Sequence, residues 1–161
     1  MRLWHYKLLP YLPDAQFKGQ LRELVAIMHD WRDNGTTNHL LINLVMDYPK
    51  FDLCSCFMIY AREYQKRYNK RLNSQATEFS CFLNFDEIPE EFVIREKHGI
   101  REITYNKSPF DGWHNKEYLR VCMANLYEKH RFGIGKSRIT DEEWQRLCEG
   151  YKAITGEDYK I

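Results

Sequence analysis

Between Pro13 and Gly35 the sequence holds one uninterrupted helical period, and that stretch limits the possible folds more than any other. Phe17, Leu21, Leu24, Met28 and Trp31 recur at alternating steps of four and three, which lays one apolar stripe along a helix and requires a core on that side. At 100° per residue, Glu23 falls about 120° from the centre of the stripe and Arg22 about 140° on the other side. Both therefore flank the core without entering it. Gly19 lies one turn before Glu23 and Ala26 three residues after it, so another backbone has room to approach this carboxylate. Asp14 suits the positive end of a helix and Asn34-Gly35 is a stop signal, so the helix is expected from near Asp14 to Asn34.

A chain of 161 residues makes one domain, here residues 1–161, that buries roughly two-thirds of its unfolded surface. The expected fold class is mainly α, a compact single-domain helical bundle with long loops. Lys and Arg number 24 against 23 Asp and Glu, a formal net charge of +1, so no global basic field exists and any DNA-binding surface must come from local clustering. The five cysteines, Cys54, Cys56, Cys81, Cys122 and Cys148, form no CxxC pair. That pattern suits reduced thiols in a cytoplasm, not a disulfide framework or a zinc site, and no metal or cofactor is expected. The longest apolar run, Leu40 to Met46, is interrupted by Asn43 and too short to span a bilayer, and the N-terminus lacks a signal-peptide core. A soluble intracellular protein with no membrane partner is expected.

The rest of the chain reads as follows. Residues 1–12 should be extended or irregular because of Pro10 and Pro13, with Trp4, Tyr6, Leu8 and Leu9 anchoring the arm and so holding the terminus in place. A second helix, Asn38 to Tyr48, is expected behind a Thr36 or Thr37 cap and ahead of Pro49, with Asn38 and His39 in its first turn, where anions are welcome. A capping Asn and a half-buried His are the plainer account of that pair. Asp52 should cap a third helix to about Tyr68, with Leu53, Phe57, Tyr60, Ala61 and Tyr64 inward. Its end carries Lys66, Arg67, Lys70 and Arg71, either a solvated complement to the helix dipole or a phosphate contact. Residues 72–110 show no sustained period and read as loops with short helical turns, Glu87 to Phe92 being one, while Phe79, Phe82, Phe85 and Phe92 read as core. A fourth helix, Trp113 to Arg131, points Tyr118, Val121, Cys122, Asn125 and Leu126 inward and stops at Gly133. A fifth opens with the capping box Thr140 to Glu143 and presents Trp144, Leu147, Cys148 and Tyr151. Between them Lys129 to Arg138, with Lys136 inside it, has freed backbone and phosphate-attracting cations but neither P-loop nor dinucleotide spacing.

Four short motifs carry a resemblance. Met1-Arg2, Leu21-Arg-Glu-Leu24, Asn38-His39 and Glu87-Ile-Pro-Glu-Glu-Phe92 resemble the pyrimidine-dimer DNA glycosylases of the phage endonuclease V type, firmly over residues 1–70 and in patches beyond. The opening Met-Arg-Leu-Trp-His and the Gly-Thr-Thr-Asn-His run bring the chain nearer still to a bacterial and phage group of that family. The resemblance implies attack by the terminal amine on C1′ of a damaged nucleotide, loss of the base, and strand cleavage through an imine. An α-amino group, with a reference pKa near 7.7–8.0, is partly unprotonated at neutral pH and suits that role. Met1 would then supply the amine, Glu23 would hold it and move protons, and Arg22 would orient the DNA. Arg2 would meet a phosphate, and the family has a His facing the DNA at the place of His39. His5, Asn38, Lys66, Arg67, Lys70, Arg71, Lys136 and Arg138 complete the expected DNA-facing set. The partner is double-stranded DNA bearing a damaged or modified base, met by a monomer, and the family extrudes the base opposite the dimer.

Two departures bear on lesion specificity. Met1 is followed directly by Arg2, so an aminopeptidase that needs a small second residue should leave Met1 in place, and Met1 superposes on the family's threonine. The basic residue one turn after the glutamate is Ala26 here, and no aromatic, basic tail is evident in Tyr151 to Ile161. Without the resemblance, Arg22 and Glu23 read as a solvated pair on a helix. The alternatives are a catalytically inactive DNA-binding domain of the same fold, or a small-molecule or protein-interaction module.

Overall fold

A computed structural model describes residues 2–37, 39, 42–83, 92–97, 100–105 and 107–160, with 92–97 and 100–105 described by backbone alone. The fold is mainly α. Among the described residues five helices, α1 (Asp14–Asn34), α2 (Lys50–Tyr68), α3 (Asn73–Phe82), α4 (Lys116–Phe132) and α5 (Asp141–Thr155), accompany 3₁₀ turns at Tyr6–Tyr11, Ile42–Asp47 and Gly135–Ser137. Strands β1 (Phe92–Lys97) and β2 (Ile100–Tyr105) pair antiparallel with Phe92 opposite Tyr105 and Lys97 opposite Ile100.

α1 has the expected bounds. Gly35 ends it in the left-handed conformation at φ 68°, and its amide closes on the Trp31 carbonyl at 3.1 Å. Its buried face is shifted from the expected stripe: Phe17, Leu24, Ile27 and Met28 are buried together with Gln20, while Leu21 and Trp31 are half-buried. The N-terminal arm docks on the flank of α1 that carries Gln20 and Glu23 and widens the buried face there. α2 is buried on all sides from Phe51 to Phe57. Asp52 lies inside this helix, not at its cap, and its carboxylate accepts the Phe110 N–H at 2.8 Å. Tyr60 stacks on Phe17 at 4.3 Å and Phe57 on Phe79 of α3 at 4.2 Å, which ties α1, α2 and α3 together.

Residues 2 to 12 are the hub of the molecule. Leu3, Trp4, Leu8, Leu9 and Leu12 are all buried. The 3₁₀ turn that follows the arm is gripped from two sides. Arg67 of α2 donates to the Leu9, Pro10 and Leu12 carbonyls, each at 2.9 Å, and Arg146 of α5 reaches the Pro10 carbonyl at 2.7 Å. Gly150 of α5 is required for that fit, since a Cβ there would stand 2.3 Å from the Tyr11 ring.

Several expectations fail, each for a local reason. In place of a second helix from Asn38 there is the short turn Ile42–Asp47; Asn38, Leu40 and Leu41 lie outside the described residues. Thr37 and Asn43 bond each other, at 2.7 Å between side chains and 3.0 Å from the Thr37 N–H, which satisfies Asn43 without a helix. Residues 72–110 hold α3 and the hairpin instead of loops alone, and Phe92 opens β1; Phe85 and residues 87–91 lie outside the described residues. Two runs rich in β-branched residues separated by His98-Gly99 were the missed hairpin signal. α4 begins at Lys116, because Asn115 caps it by accepting the Tyr118 N–H at 2.9 Å, and it buries Leu119 and Met123 where Val121 was expected. The capping box of α5 forms as read, with both reciprocal bonds present.

Candidate active site

The arm docks on α1 through its backbone. Residues 2 to 4 carry N–H and C=O groups that pair with no helix or strand, so side chains must satisfy them if they are to be buried. The Arg2 N–H donates to Glu23 Oε2 at 2.8 Å, the Arg2 carbonyl accepts from Gln20 Nε2 at 3.1 Å, and the Trp4 N–H donates to Gln20 Oε1 at 2.7 Å. From the other side the Tyr118 hydroxyl of α4 donates to the Leu3 carbonyl. Gln20 and Glu23, three residues apart on one helix face, act as a clamp that sets the register of the terminus.

Glu23, one half of that clamp, lines an open cleft of about 600 Å³. Ala15, Gly19, Arg22 and Glu23 line it from α1, Arg2 from the arm, Asn125, Glu128 and Lys129 from α4, and Lys136 from the turn at Gly135–Ser137; His39 also borders it. Gly19 leaves the floor open: a Cβ added there would come no closer than 4.0 Å to any neighbour, and that neighbour is Arg22 Nη2. Among these residues Arg2, Arg22, Lys129 and Lys136 face Glu23 and Glu128, so the cleft carries a local positive excess on a nearly neutral chain. Burial raises the Glu23 carboxyl above the ordinary carboxylate range. The Arg2 N–H, the terminal charge, Arg2 and Lys129 pull it the other way. A second, more apolar hollow of about 220 Å³ shares Arg2 and His39 and is walled by Trp113, Tyr118, Leu44 and Val121.

The sequence-predicted site residues divide into three groups. Arg2, Arg22, Glu23, His39 and Lys136 meet at the cleft, whereas Met1 and Asn38 lie outside the described residues. Lys66, Lys70 and Arg71 are exposed at or beyond the end of α2 and Arg138 is exposed after the turn at Gly135–Ser137; none of the four lines the cleft. The third group is internal. His5 is 2% exposed, and its Nδ1 accepts the Lys7 N–H at 3.2 Å, so its Nε2 carries the proton donated to the His114 carbonyl at 2.8 Å. Burial lowers its pKa to about 4, so the ring is a neutral structural link and not a DNA-facing group. Arg67 is likewise committed: besides three carbonyls it holds Glu63 at 2.8 Å and lies over the Phe17 ring at 4.1 Å. Four of its five N–H donors are taken by these partners, and its Nη1 also lies 3.6 Å from Asp14 Oδ1, so the group is spent on the fold.

Gln20, which holds the arm, and Asn125, which lines the cleft, were not singled out from sequence. Gln20 had a legible signal, a polar residue in the apolar face between Phe17 and Leu24, which when buried must find partners. Asn125 had none beyond helical spacing. Among the described residues, no group of three or more His, Cys, Asp or Glu side chains is gathered as a metal site would need, and no helix is long and apolar enough to cross a membrane.

No curated protein and no solved structure matches the chain. Residues 1–76 match the family model described as pyrimidine dimer DNA glycosylase, and that segment holds the arm, the Gln20–Glu23 clamp and Arg22.

Proposed function

We propose that the protein is a bifunctional DNA glycosylase and abasic-site lyase that acts on duplex DNA at pyrimidine dimers or at another damaged or modified pyrimidine, with the Met1 amine as nucleophile. One observation carries the proposal: the Arg2 N–H sits 2.8 Å from Glu23 Oε2 at the edge of an open, cationic cleft. The amine that would attack is borne by the residue next to this N–H, which makes Glu23 the carboxylate suited to serve it.

The neutral amine attacks C1′, the N-glycosidic bond breaks with its electrons going to the base, and the departing base takes a proton. Opening of the sugar ring gives an iminium at C1′. Removal of a C2′ proton then expels the 3′ phosphate and cuts the strand, and water releases the amine. Glu23 suits the proton transfers because burial moves its pKa upward, nearer to the range where one group both takes and gives a proton. Arg2, Arg22, Lys129 and Lys136 supply phosphate contacts around it.

Sodium borohydride trapping tests the reading. The untagged protein should form a covalent adduct with lesion-bearing duplex. A tag that acylates the terminal nitrogen should abolish the adduct, and Glu23→Gln should bind the duplex while losing strand cleavage. Equal trapping by tagged and untagged protein rules out the amine. Salt-sensitive affinity for lesion duplex without any adduct from the untagged protein would instead identify an inactive DNA-binding domain.

A further inference from the structure

We propose that Phe132 and Ile134 form an apolar wedge that enters the duplex at the base step beside the extruded nucleotide; this rests on the duplex-DNA reading of the cleft given above. Among the described residues these two are the most exposed large apolar side chains, at 77% and 87%. A lone exposed phenylalanine is unremarkable, but two that flank one glycine at the mouth of a cationic cleft are a feature to explain.

The helix places the first of them. Val121, Asn125, Glu128, Lys129 and Phe132 follow one another on a single face of α4 by steps of four, three, one and three. Asn125, Glu128 and Lys129 line the cleft, and Val121 lines the adjoining apolar hollow. Phe132 therefore continues the cleft wall one turn beyond its end, about 16 Å along the helix from Val121. The second is held by a closed loop. Gly133 and Ile139 both donate backbone N–H groups to the Lys129 carbonyl, at 3.0 and 3.4 Å. A Cβ on Gly133 would fall 2.1 Å from that oxygen and 2.9 Å from Arg138 Cα, so the neck of the loop admits glycine alone. Within the loop the Ser137 hydroxyl donates to the Ile134 carbonyl at 2.9 Å, and the Arg138 N–H to the Gly135 carbonyl at 3.2 Å. The neck is anchored below by His130, which stacks on Trp144 and contacts the Ile139 carbonyl at 3.2 Å.

The result is a braced apolar tip with Lys129, Arg131, Lys136 and Arg138 around it, two of which also line the cleft. That charge favours a polyanion over an apolar protein surface. Proteins that kink duplexes insert Phe, Leu, Ile or Met between base steps, and the insertion offsets the few kcal/mol of stacking lost when a nucleotide is extruded. The catalytic groups need no apolar tip; the duplex, once opened, does.

Phe132→Ala and Ile134→Ala, singly and together, test this, since both side chains are in water and their loss leaves the core intact. On lesion-bearing duplex the double variant should cleave about tenfold more slowly than the parent. On a single-stranded oligonucleotide with an abasic site, which needs no opening, the two should agree within about twofold. A duplex carrying a non-cleavable abasic analogue beside 2-aminopurine supplies a readout free of chemistry: the parent should raise the fluorescence on binding, and the double variant should bind without the rise. Unchanged duplex cleavage, an equal fall on both substrates, no fluorescence rise with the parent, or a concentration-dependent dimer that the variants dissolve would each overturn the wedge. If the parent cleaves neither substrate, the proposed chemistry fails and the fluorescence arm still decides the wedge.

Discussion

Replacing Gln20 by Met separates positioning of the terminus from the chemistry at it. Gln20 is 1% exposed, and its amide makes two bonds to the arm, to the Arg2 carbonyl and from the Trp4 N–H. Methionine has nearly the same length and can do neither. A buried backbone group left without a partner costs about 1–3 kcal/mol, and two groups are affected, so with the amide's own desolvation removed the docked arm should lose about 2–4 kcal/mol. Leu3 and Trp4 remain as hydrophobic anchors, each contributing about 1.5–3 kcal/mol by burial, so the arm should stay attached while its register loosens. At about 1.4 kcal/mol per factor of ten, the undocked fraction rises roughly 30- to 700-fold.

The consequence for activity follows from geometry, because a reacting group displaced by about 1 Å can lose about 100-fold in rate. Gln20 does not touch DNA in this account, so borohydride trapping at saturating lesion duplex should slow at least tenfold while the dissociation constant changes less than about twofold. Hydrogen exchange at the Trp4 and Arg2 amides should accelerate in parallel. Gln20→Glu should resemble the methionine variant, since a carboxylate can accept from Trp4 but presents an acceptor to the Arg2 carbonyl. A variant that traps DNA at the parental rate with unchanged amide protection would show that the clamp does not set the terminus.

Gly19→Leu should fold normally, since nothing but Arg22 Nη2 stands within 4.0 Å of the new Cβ, yet it should fill the cleft floor and weaken lesion-duplex affinity at least tenfold, measured by fluorescence anisotropy. His5 takes a proton near pH 6.5 in the unfolded chain and near 4 in the folded one, because burial disfavours the charged ring. Unfolding therefore takes up a proton in that window, and stability should fall by up to about 3 kcal/mol as the pH drops from 6.5 to 4. His5→Gln should flatten that part of the urea-midpoint curve, and coincident curves would refute the assignment. For Glu23 the direction is opposite, since its raised pKa makes folding lose stability as the pH climbs through the carboxyl range. Glu23→Gln should thus equal or exceed the parent in melting temperature at pH 7 and lose that advantage below pH 4, while turnover is lost at both.

What the sequence disclosed and what it concealed divide along the range of the interaction. The stop of α1 at Gly35, the stop of α4 at Gly133 and the capping box of α5 depend on residues within four positions of one another, and all three are where the pattern put them. The stripe of α1 was legible, but its true width was not, because the arm that covers Gln20 arrives from sixteen residues away. The cleft joins residues 2 and 4, the first three turns of α1, His39, and residues 125 to 137, a set that no local window contains. Charge alone misled for a related reason. In sequence Arg67 and Arg22 are alike, each a cation on the polar side of a helix; in the fold Arg67 has its three nitrogens engaged by Glu63 and by carbonyls 55 to 58 residues away, while Arg22 stays exposed at the cleft. A cation is available to a phosphate only if the backbone has not already claimed its donors. Every irregular segment brought inside a fold leaves carbonyls to be satisfied, so the 3₁₀ turn at Tyr6–Tyr11 needed an arginine beside it. Its need, not DNA, accounts for Arg67.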